Sequence, residues 1–294
     1  MLFIQALLNG LFIGSLYGLI ALALTLIFGV MKIINFAHGS LLMIGMFIAF
    51  GSSSLIGLNP YLSVFIVCPL LFFFGYFVQK YLINSVLEAE RDVREPIGVL
   101  LLTTGLWIFL DNIFTVFFGP DYRSLSPPFK TLNILVGESL LINKVRLIAF
   151  IVSCGTAGLI HILMKYAELG RAVRAVGQDR EMAGLLGIDV YEMYNIVFGA
   201  GACIVGIAGA ILATFYYVHP HVGASFGIKS FIIVVLGGLG SIPGALLGGI
   251  IVGIIESVGA QFISSTLTEG LIYLMFLLVL FLRPSGLFGL KQEW

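Results

Sequence analysis

The sequence predicts an all-α protein, a polytopic transmembrane helix bundle with about eight spanning helices and one half-helix. Composition is the first reason: 60% of the 294 residues are hydrophobic and only 10% are charged, whereas about a quarter are charged in soluble domains. The second reason is the distribution of charge, because residues 1–31 and 33–79 contain no Asp, Glu, Lys or Arg. About 20 predominantly apolar residues suffice to span a bilayer, so both runs are long enough for membrane helices.

Charge-poor runs give the spanning helices in chain order. They are predicted near 3–28, 37–57, 60–79, 97–118, 147–164, 193–217, 243–260 and 267–282. The first run opens with MLFIQALLNG, which lacks the positive n-region and the A-x-A-like cleavage site of a signal peptide. We therefore expect it to belong to the first helix.

One apolar piece, 228–238, is too short to span a bilayer alone. It runs into GGLGSIPG at 237–244, where glycine and proline interrupt regular helical hydrogen bonding. Pro243 suits the first turn of a new helix. We predict a half-helix, a break and then a full helix, the break being formed by Gly237, Gly238, Gly240, Ser241, Pro243 and Gly244.

The distribution of Lys and Arg predicts the orientation in the membrane. If the segment 165–192 is cytoplasmic, alternation of the helices places twice as many basic residues inside as outside, as the positive-inside rule requires. The N-terminus and the loop 119–146 are then external, and Lys229 counts as external. In that loop, Pro127-Pro128 and two short apolar runs predict a small hairpin, which either receives a partner or only connects two helices. The mixed charges of 80–95 predict a solvated interfacial helix.

Small residues recur at helix-packing intervals in three of the predicted helices. In lipid such stripes let two helix backbones approach closely, because apolar burial supplies no drive there. The first helix carries Gly10, Gly14 and Gly18, the sixth carries Gly199, Ala202 and Gly206, and the seventh carries Gly244, Gly248, Gly249 and Gly253. These stripes predict a compact set of helices.

Motifs of enzymatic chemistry are absent from the sequence. It has no P-loop, no H-E-x-x-H and no G-x-S-x-G, so we expect no catalytic residues and no bound cofactor. Cys68, Cys154 and Cys203 are isolated in apolar stretches and are interpreted as packing residues. His219 and His221 are too few to predict a metal site, and no basic run indicates nucleic acid.

Several polar residues fall within the predicted membrane helices, where ionisable groups are costly and tend to face a cavity or a partner. Glu256 follows Gly249 by seven positions and Gly253 by three, so it lies on the glycine-lined face. For Glu256 and for Asp111 we leave two roles open, lining a polar pathway or making an internal hydrogen bond. Asn35, His38 and Gly39 mark a helix break, which either is only structural or lies at the inner mouth of a pathway.

The charged segment GRAVRAVGQDREMAGLLGID, residues 170–189, is unlike its apolar surroundings. Asp179 is a good N-cap and Gly187 a suitable residue just past a helix end, which predicts a short helix over 180–186. Met182, Leu185 and Leu186, with Ala183 beside them, form one apolar face. That face either lies on the bilayer surface or inserts into a groove of another protein, and the small, tightly capped face favours the protein.

The same segment resembles the cytoplasmic coupling loop of ABC-importer permeases, most closely those of the branched-chain amino-acid type. The resemblance rests on G-R-A-x-R-A, then Asp179, Ala183 and Gly187-Ile188. Three further stretches are similar to that family's other signatures: GLIALALTLIFGVMKIINFAHGSLLMIG, GGLGSIPGALLGGIIVGIIE and LRPSGLFG. The resemblance covers nearly the whole chain and implies one transmembrane permease domain over residues 1–294.

Such a permease is expected to pair with a second, similar permease as a heterodimer. The resemblance further implies that two separate ATP-binding subunits dock on the coupling loops, that an extracytoplasmic solute-binding protein delivers the solute to the permease pair, and that the pair lies in the cytoplasmic (inner) membrane of a prokaryote. The implied solutes are branched-chain or related amino acids, although the resemblance extends to importers of urea and short amides. A stand-alone ion-coupled transporter or channel is the alternative. The residues expected to couple to the ATPase are Gly170, Arg171, Arg174, Asp179, Met182, Ala183, Leu185, Leu186 and Gly187.

Overall fold

The computed structural model of the chain describes residues 2–90, 97–125, 133–136, 140–283 and 286–288. Within these ranges eight helices are long and apolar enough to cross a membrane, which confirms the predicted polytopic all-α class. The α-helices are α1 Leu2–Met31, α2 His38–Ile56, α3 Val64–Val78, α4 Asn84–Ala89, α5 Ile97–Phe118, α6 Lys144–Tyr166, α7 Glu168–Gln178, α8 Arg180–Leu185, α9 Val190–Leu212, α10 Val222–Gly237, α11 Ile242–Phe262 and α12 Ser265–Leu282.

The chain divides into two compact units, each built from separated parts of the sequence. The first unit comprises residues 1–25, 126–157 and 228–294, and the second comprises residues 26–125 and 158–227. Helices α1, α6 and α10 contribute residues to both. The single permease domain expected over residues 1–294 stays a prediction.

In the first unit, α1 packs against α11 through the predicted glycines. A Cβ on Gly14 would lie 2.8 Å from the carbonyl oxygen of Gly249, and one on Gly10 would lie 2.6 Å from the Cα of Ile254. Real Cβ atoms do not approach backbone so closely, so only glycine permits this contact. Gly248 of α11 instead faces α10, since a Cβ on Gly248 would lie 3.0 Å from the carbonyl oxygen of Ile233.

In the second unit, α9 packs between α2 and α3 with its small-residue stripe as the contact. A Cβ on Gly45 would lie 2.7 Å from the carbonyl oxygen of Gly206, and one on Gly75 would lie 2.6 Å from the Cβ of Ala202. The structure corrects the interpretation of the cysteines, because Cys68 of α3 and Cys203 of α9 form a disulfide across this contact. They are 135 residues apart, so their spacing could not reveal the pairing.

A small hairpin lies in the loop predicted to contain one. Strand β1, Asn133–Val136, pairs antiparallel with β2, Leu140–Asn143, in the register Asn133 with Asn143. The side-chain oxygen of Asn143 then accepts from the backbone N–H of Val145 at 2.9 Å, which caps the start of α6. Pro127-Pro128 and Gly137-Glu138 lie outside the described residues.

Several element boundaries differ from the sequence predictions. The third span continues beyond Gln79 through a π-helical turn, Gln79–Ile83, into α4, where a separate solvated helix was expected. The reason is a buried amide chain: Gln79 donates to Asn84 at 2.8 Å, and Asn84 donates to Asn195 of α9 at 3.0 Å. The sixth span ends at Leu212 rather than 217. Helix α10 begins at Val222, so Lys229 is inside a helix and was wrongly counted as an external flanking charge.

Candidate functional site

The segment 168–189 contains the two short helices α7 and α8 and leads directly into α9. The sequence reasoning predicted α8 but missed α7, whose amphipathic pattern was the available signal. Arg171 and Arg174 lie on the exposed face of α7, while Val173 and Val176 are buried. Gly170 is required by a close approach, because a Cβ there would collide with the carbonyl oxygens of Leu163 and Met164.

Helix α8 begins where its sequence predicts and ends one residue earlier, at Leu185. The side chain of Asp179 accepts hydrogen bonds from the backbone N–H groups of Glu181 at 3.0 Å and Met182 at 3.1 Å. This satisfies two of the donors that a helix start leaves without intrahelical partners. At the other end Gly187 has φ +84°, the left-handed conformation that favours glycine. The short helix therefore has a defined shape set by local chemistry.

The apolar residues of α8 divide into one that faces the chain and three that face away from it. Ala183 is 2% exposed, whereas Met182, Leu185 and Leu186 are 57%, 81% and 80% exposed. The predicted apolar face is therefore narrower than proposed, because Ala183 belongs to the internal contact. A protruding apolar group of this kind suits insertion into a groove of another protein.

The predicted helix break near the N-terminus is formed by residues 32–37, which connect α1 to α2 without helical structure. The side-chain oxygen of Asn35 accepts from the backbone N–H of Ala37 at 3.0 Å, an Asx turn that leads into α2. Asn35 and His38 are both buried. A Cβ on Gly39 would overlap the carbonyl oxygen of Gly223, so α2 and α10 begin in contact.

Asp111 of α5 lies in a buried polar cluster in the second unit. Its side chain is 6% exposed, and its two oxygens accept different hydrogen bonds. Ser40 donates to Oδ1 at 2.8 Å, and the indole N–H of Trp107 donates to Oδ2 at 2.9 Å. The Nδ1 of His221, an exposed side chain, lies 3.6 Å from Oδ2. These contacts describe the internal hydrogen-bonding role that the sequence left open for Asp111.

The glycine-rich break between α10 and α11 has the predicted form. Gly238 and Gly240 have φ of +101° and +84°, and the Ser241 side chain accepts from the backbone N–H of Gly244 at 3.2 Å to cap α11. Pro243 falls in the first turn of α11, and a Cβ on Gly237 would collide with the carbonyl group of Gly244. Only glycine allows the two helix ends to approach in this way.

Leu287 and Phe288, near the C-terminus, form hydrogen bonds with the end of α10 at this break. The sequence did not predict this contact. The backbone N–H of Leu287 donates to the carbonyl oxygen of Leu236 at 2.8 Å, and that of Phe288 donates to the carbonyl oxygen of Gly237 at 3.2 Å. Two carbonyl groups at the end of α10 thereby gain the partners that a helix end otherwise lacks.

Glu256 of α11 belongs to an ion cluster in the first unit. Its Oε1 accepts from Lys229 Nζ at 2.9 Å and from the Tyr17 hydroxyl at 3.2 Å. Lys229 Nζ also lies 3.6 Å from Oε1 of Glu269 on α12, and 5.5 Å from the centroid of the Tyr17 ring. The contact with α1 confirms that Glu256 shares the glycine-lined face. The sequence reasoning missed Lys229, Glu269 and Tyr17, although a single lysine in an apolar run was an available signal for the first.

Among the described residues no group of three or more His, Cys, Asp or Glu side chains could hold a metal ion. His219 and His221 stand beside Pro220, between α9 and α10. Burial, and secondarily the nearby His221, holds the pKa of His219 below its ordinary value. The imidazole of His219 is therefore mainly uncharged at neutral pH.

Comparisons with known proteins give one consistent family. The sequence profile described as "Branched-chain amino acid transport system / permease component" matches residues 6–280. The chain is 30% identical to the high-affinity branched-chain amino acid transport system permease protein LivH of Salmonella typhimurium, over 98% of this chain and 96% of LivH. It is 32% identical to the corresponding protein BraD of Pseudomonas aeruginosa, over the same shares.

A more distant similarity extends to a sugar importer. The fructose import permease protein FrcC of Rhizobium meliloti is 29% identical over 58% of this chain and 49% of FrcC. No solved structure matches the chain significantly.

Proposed function

We propose that this chain, which belongs to the family of permease components of branched-chain amino acid transport systems, forms half of the translocation path of its importer. Family membership makes it a multi-pass transport subunit of an ABC importer rather than an enzyme. The other half of the path is a second, similar permease. The importer operates in the cytoplasmic membrane of a prokaryote and takes up branched-chain or related amino acids.

The observation that carries the proposal is the exposed apolar face of α8. Met182, Leu185 and Leu186 protrude from a helix whose start and end are both fixed by local caps. Because α8 also packs on α9, a force applied to its outer face is transmitted to a spanning helix. We assign this face to a groove of an ATP-binding subunit, with Arg171 and Arg174 beside it. ATP is bound by those subunits, and this chain carries no cofactor of its own.

The glycine-rich helix ends then accommodate the motion that ATP binding drives. Closure of the two ATP-binding subunits moves α8 as a rigid body, since its caps hold its shape. The break at 237–241 and the connection at 32–37 are the places where the helical hydrogen-bonding pattern is already interrupted. Hinges of this kind absorb backbone rotation without breaking a regular helix.

The docking face is tested by the double substitution Met182→Asp with Leu185→Asp. The chain is co-expressed with the ATP-binding subunits of its source organism and purified in mild detergent. Insertion and the thermal midpoint should stay unchanged, because both side chains are exposed, while co-purification of the ATP-binding subunits is lost. Unchanged co-purification would show that α8 does not dock.

Two control variants separate docking from general damage. The pair Met182→Leu with Leu185→Met keeps the face apolar and should retain the ATP-binding subunits. The pair Leu55→Asp with Ile56→Asp places the same charges on exposed apolar residues at the end of α2, and it should also retain them.

The substrate and the energy source are tested together by uptake of radioactive leucine into proteoliposomes that contain the complete importer and its binding protein. Uptake should require hydrolysable ATP and should persist when ionophores collapse all ion gradients. Leucine uptake by this chain alone, driven by an ion gradient, would contradict the proposal.

A further inference from the structure

The ion cluster of Lys229, Glu256, Glu269 and Tyr17 has properties of a binding site that its hydrogen bonds alone do not explain. We propose that Glu256 and Glu269 bind the ammonium group of the transported amino acid, with Lys229 and Tyr17 holding Glu256 in position. The inference rests on the proposed function, because it takes an amino acid as the substrate.

The cluster has more acidic than basic side chains. The cluster contains two carboxylates and a single ammonium group, with Lys229 Nζ 2.9 Å from Glu256 and 3.6 Å from Glu269. It therefore carries a net charge of about −1 when all three groups are ionised. Uncompensated charge within membrane-spanning helices is costly and usually marks a path or a partner. One additional ammonium group makes the cluster neutral.

One oxygen of Glu256 has no donor among the described residues. The hydrogen bonds from Lys229 and from Tyr17 to the Glu256 carboxylate both end on Oε1. Its Oε2 is buried and has no hydrogen-bond partner among the residues that the structure describes. A carboxylate oxygen in that state loses its hydration without replacement. An ammonium group offers three N–H donors and matches this oxygen chemically.

The cluster is partly exposed at the surface of the chain. The side chains of Lys229, Glu256 and Glu269 are 12%, 23% and 51% exposed. Exposure thus increases from the lysine to the carboxylates, and Glu269 presents its charge on α12 among exposed leucines such as Leu267 and Leu271. A ligand approaching the cluster meets negative charge first, which favours a cationic group.

Tyr17 and Lys229 have a positioning role in this site. The Tyr17 hydroxyl donates to Oε1, and its ring lies 5.5 Å from Lys229 Nζ, close enough for a cation–π contact. Both contacts hold Oε1, whereas Oε2 is buried in this structure, so the ligand reaches it only when the helices around the cluster move apart during alternating access. The substrate carboxylate and side chain are held elsewhere, so this site recognises the feature that all α-amino acids share.

The decisive experiment exchanges the two paired charges in the variant Lys229→Glu with Glu256→Lys. This exchange restores an ion pair between α10 and α11 but removes the carboxylate from position 256. We expect the variant to co-purify with its importer partners at a thermal midpoint close to that of the wild type. The initial rate of leucine uptake in proteoliposomes should fall about tenfold or more, as the loss of a charge-assisted hydrogen bond implies.

A second variant guards against failure of the exchanged pair to assemble. Glu269→Gln changes a half-exposed side chain and should assemble normally, with leucine uptake several-fold lower. Its matched control is Glu88→Gln, an exposed carboxylate on α4 outside the cluster, which should leave uptake unchanged.

The possible results separate failure of the proposed binding site from failure of the proposed function. Uptake by the exchanged pair within about twofold of the wild type would identify a purely structural ion pair and overturn the site, as would unchanged uptake by an assembled Glu269→Gln variant. If the wild-type importer takes up neither leucine nor any other amino acid, the proposed function itself fails and the site fails with it.

Discussion

Two carboxylates within membrane-spanning helices, Asp111 and Glu256, are stabilised in different ways. Asp111 is buried, and each of its oxygens accepts a hydrogen bond from a neutral donor, Ser40 or Trp107. Glu256 accepts from the ammonium group of Lys229 and from the Tyr17 hydroxyl, and its Oε2 has no donor among the residues that the structure describes. Both oxygens of Asp111 have donors, whereas among the described residues Oε2 of Glu256 has none.

This difference separates a structural carboxylate from a candidate functional one. Neutral donors at 2.8 and 2.9 Å satisfy the lone pairs of Asp111 without a counter-ion. Lys229 and Glu256 form a partly buried ion pair, with side chains 12% and 23% exposed, and the desolvation cost of such a pair can offset much of the attraction between its charges. Lys229 and Glu256 together therefore contribute little net stability, although removing either partner alone is strongly destabilising.

The largest effect is expected for Lys229→Ala. The substitution leaves Glu256 without its cation, and we expect the unfolding free energy to fall by about 3 kcal/mol. The thermal midpoint of the purified chain in mild detergent, measured by size-exclusion chromatography after heating, checks this. Adding Glu256→Gln to Lys229→Ala should recover much of the loss, because the uncompensated charge is then removed. A double variant less stable than Lys229→Ala would contradict the ion-pair account.

A smaller effect is expected for Trp107→Phe. The substitution removes the indole N–H that donates to Asp111 Oδ2 but keeps an aromatic ring at this position. We expect a loss of about 2 kcal/mol, because a buried charged acceptor then lacks a partner. The same thermal measurement applies. Ser40→Ala should behave similarly, whereas Ser52→Ala is the matched control because that hydroxyl donates only to the Ala49 carbonyl within α2. Equal effects of the two serine substitutions would show that Asp111 does not depend on these donors.

The smallest effect is expected for His221→Gln. The His221 side chain is 60% exposed and lies 3.6 Å from Asp111, so solvent screens the interaction. We expect a change below about 0.5 kcal/mol in the unfolding free energy. A larger loss, seen as a clearly lower thermal midpoint near neutral pH, would mean that Asp111 requires a cation as Glu256 does.

Much of the fold follows from the sequence because length and apolarity decide which segments span a membrane. The break at Gly237–Gly244 was predictable, since glycine and proline act on the backbone where they stand. The cap of α8 was predictable for the same reason, because Asp179 bonds to N–H groups two and three residues away. The start of α10 was not, because residues 222–227, VGASFG, contain two glycines and a serine and so weaken the apolar pattern of a helix.

The sequence by itself determined which segments are apolar and long enough to span a membrane, that the chain breaks at 237–244 and how α8 begins, because those properties depend on interactions within a few residues. It also indicated that Gly14 and Gly249 lie on packing faces, since helical periodicity assigns residues to faces. Only the tertiary structure decided which faces meet. The bond of Cys68 to Cys203 and the position of Lys229 between Glu256 and Glu269 depend on contacts between distant segments, and periodicity carries no information about the partner helix.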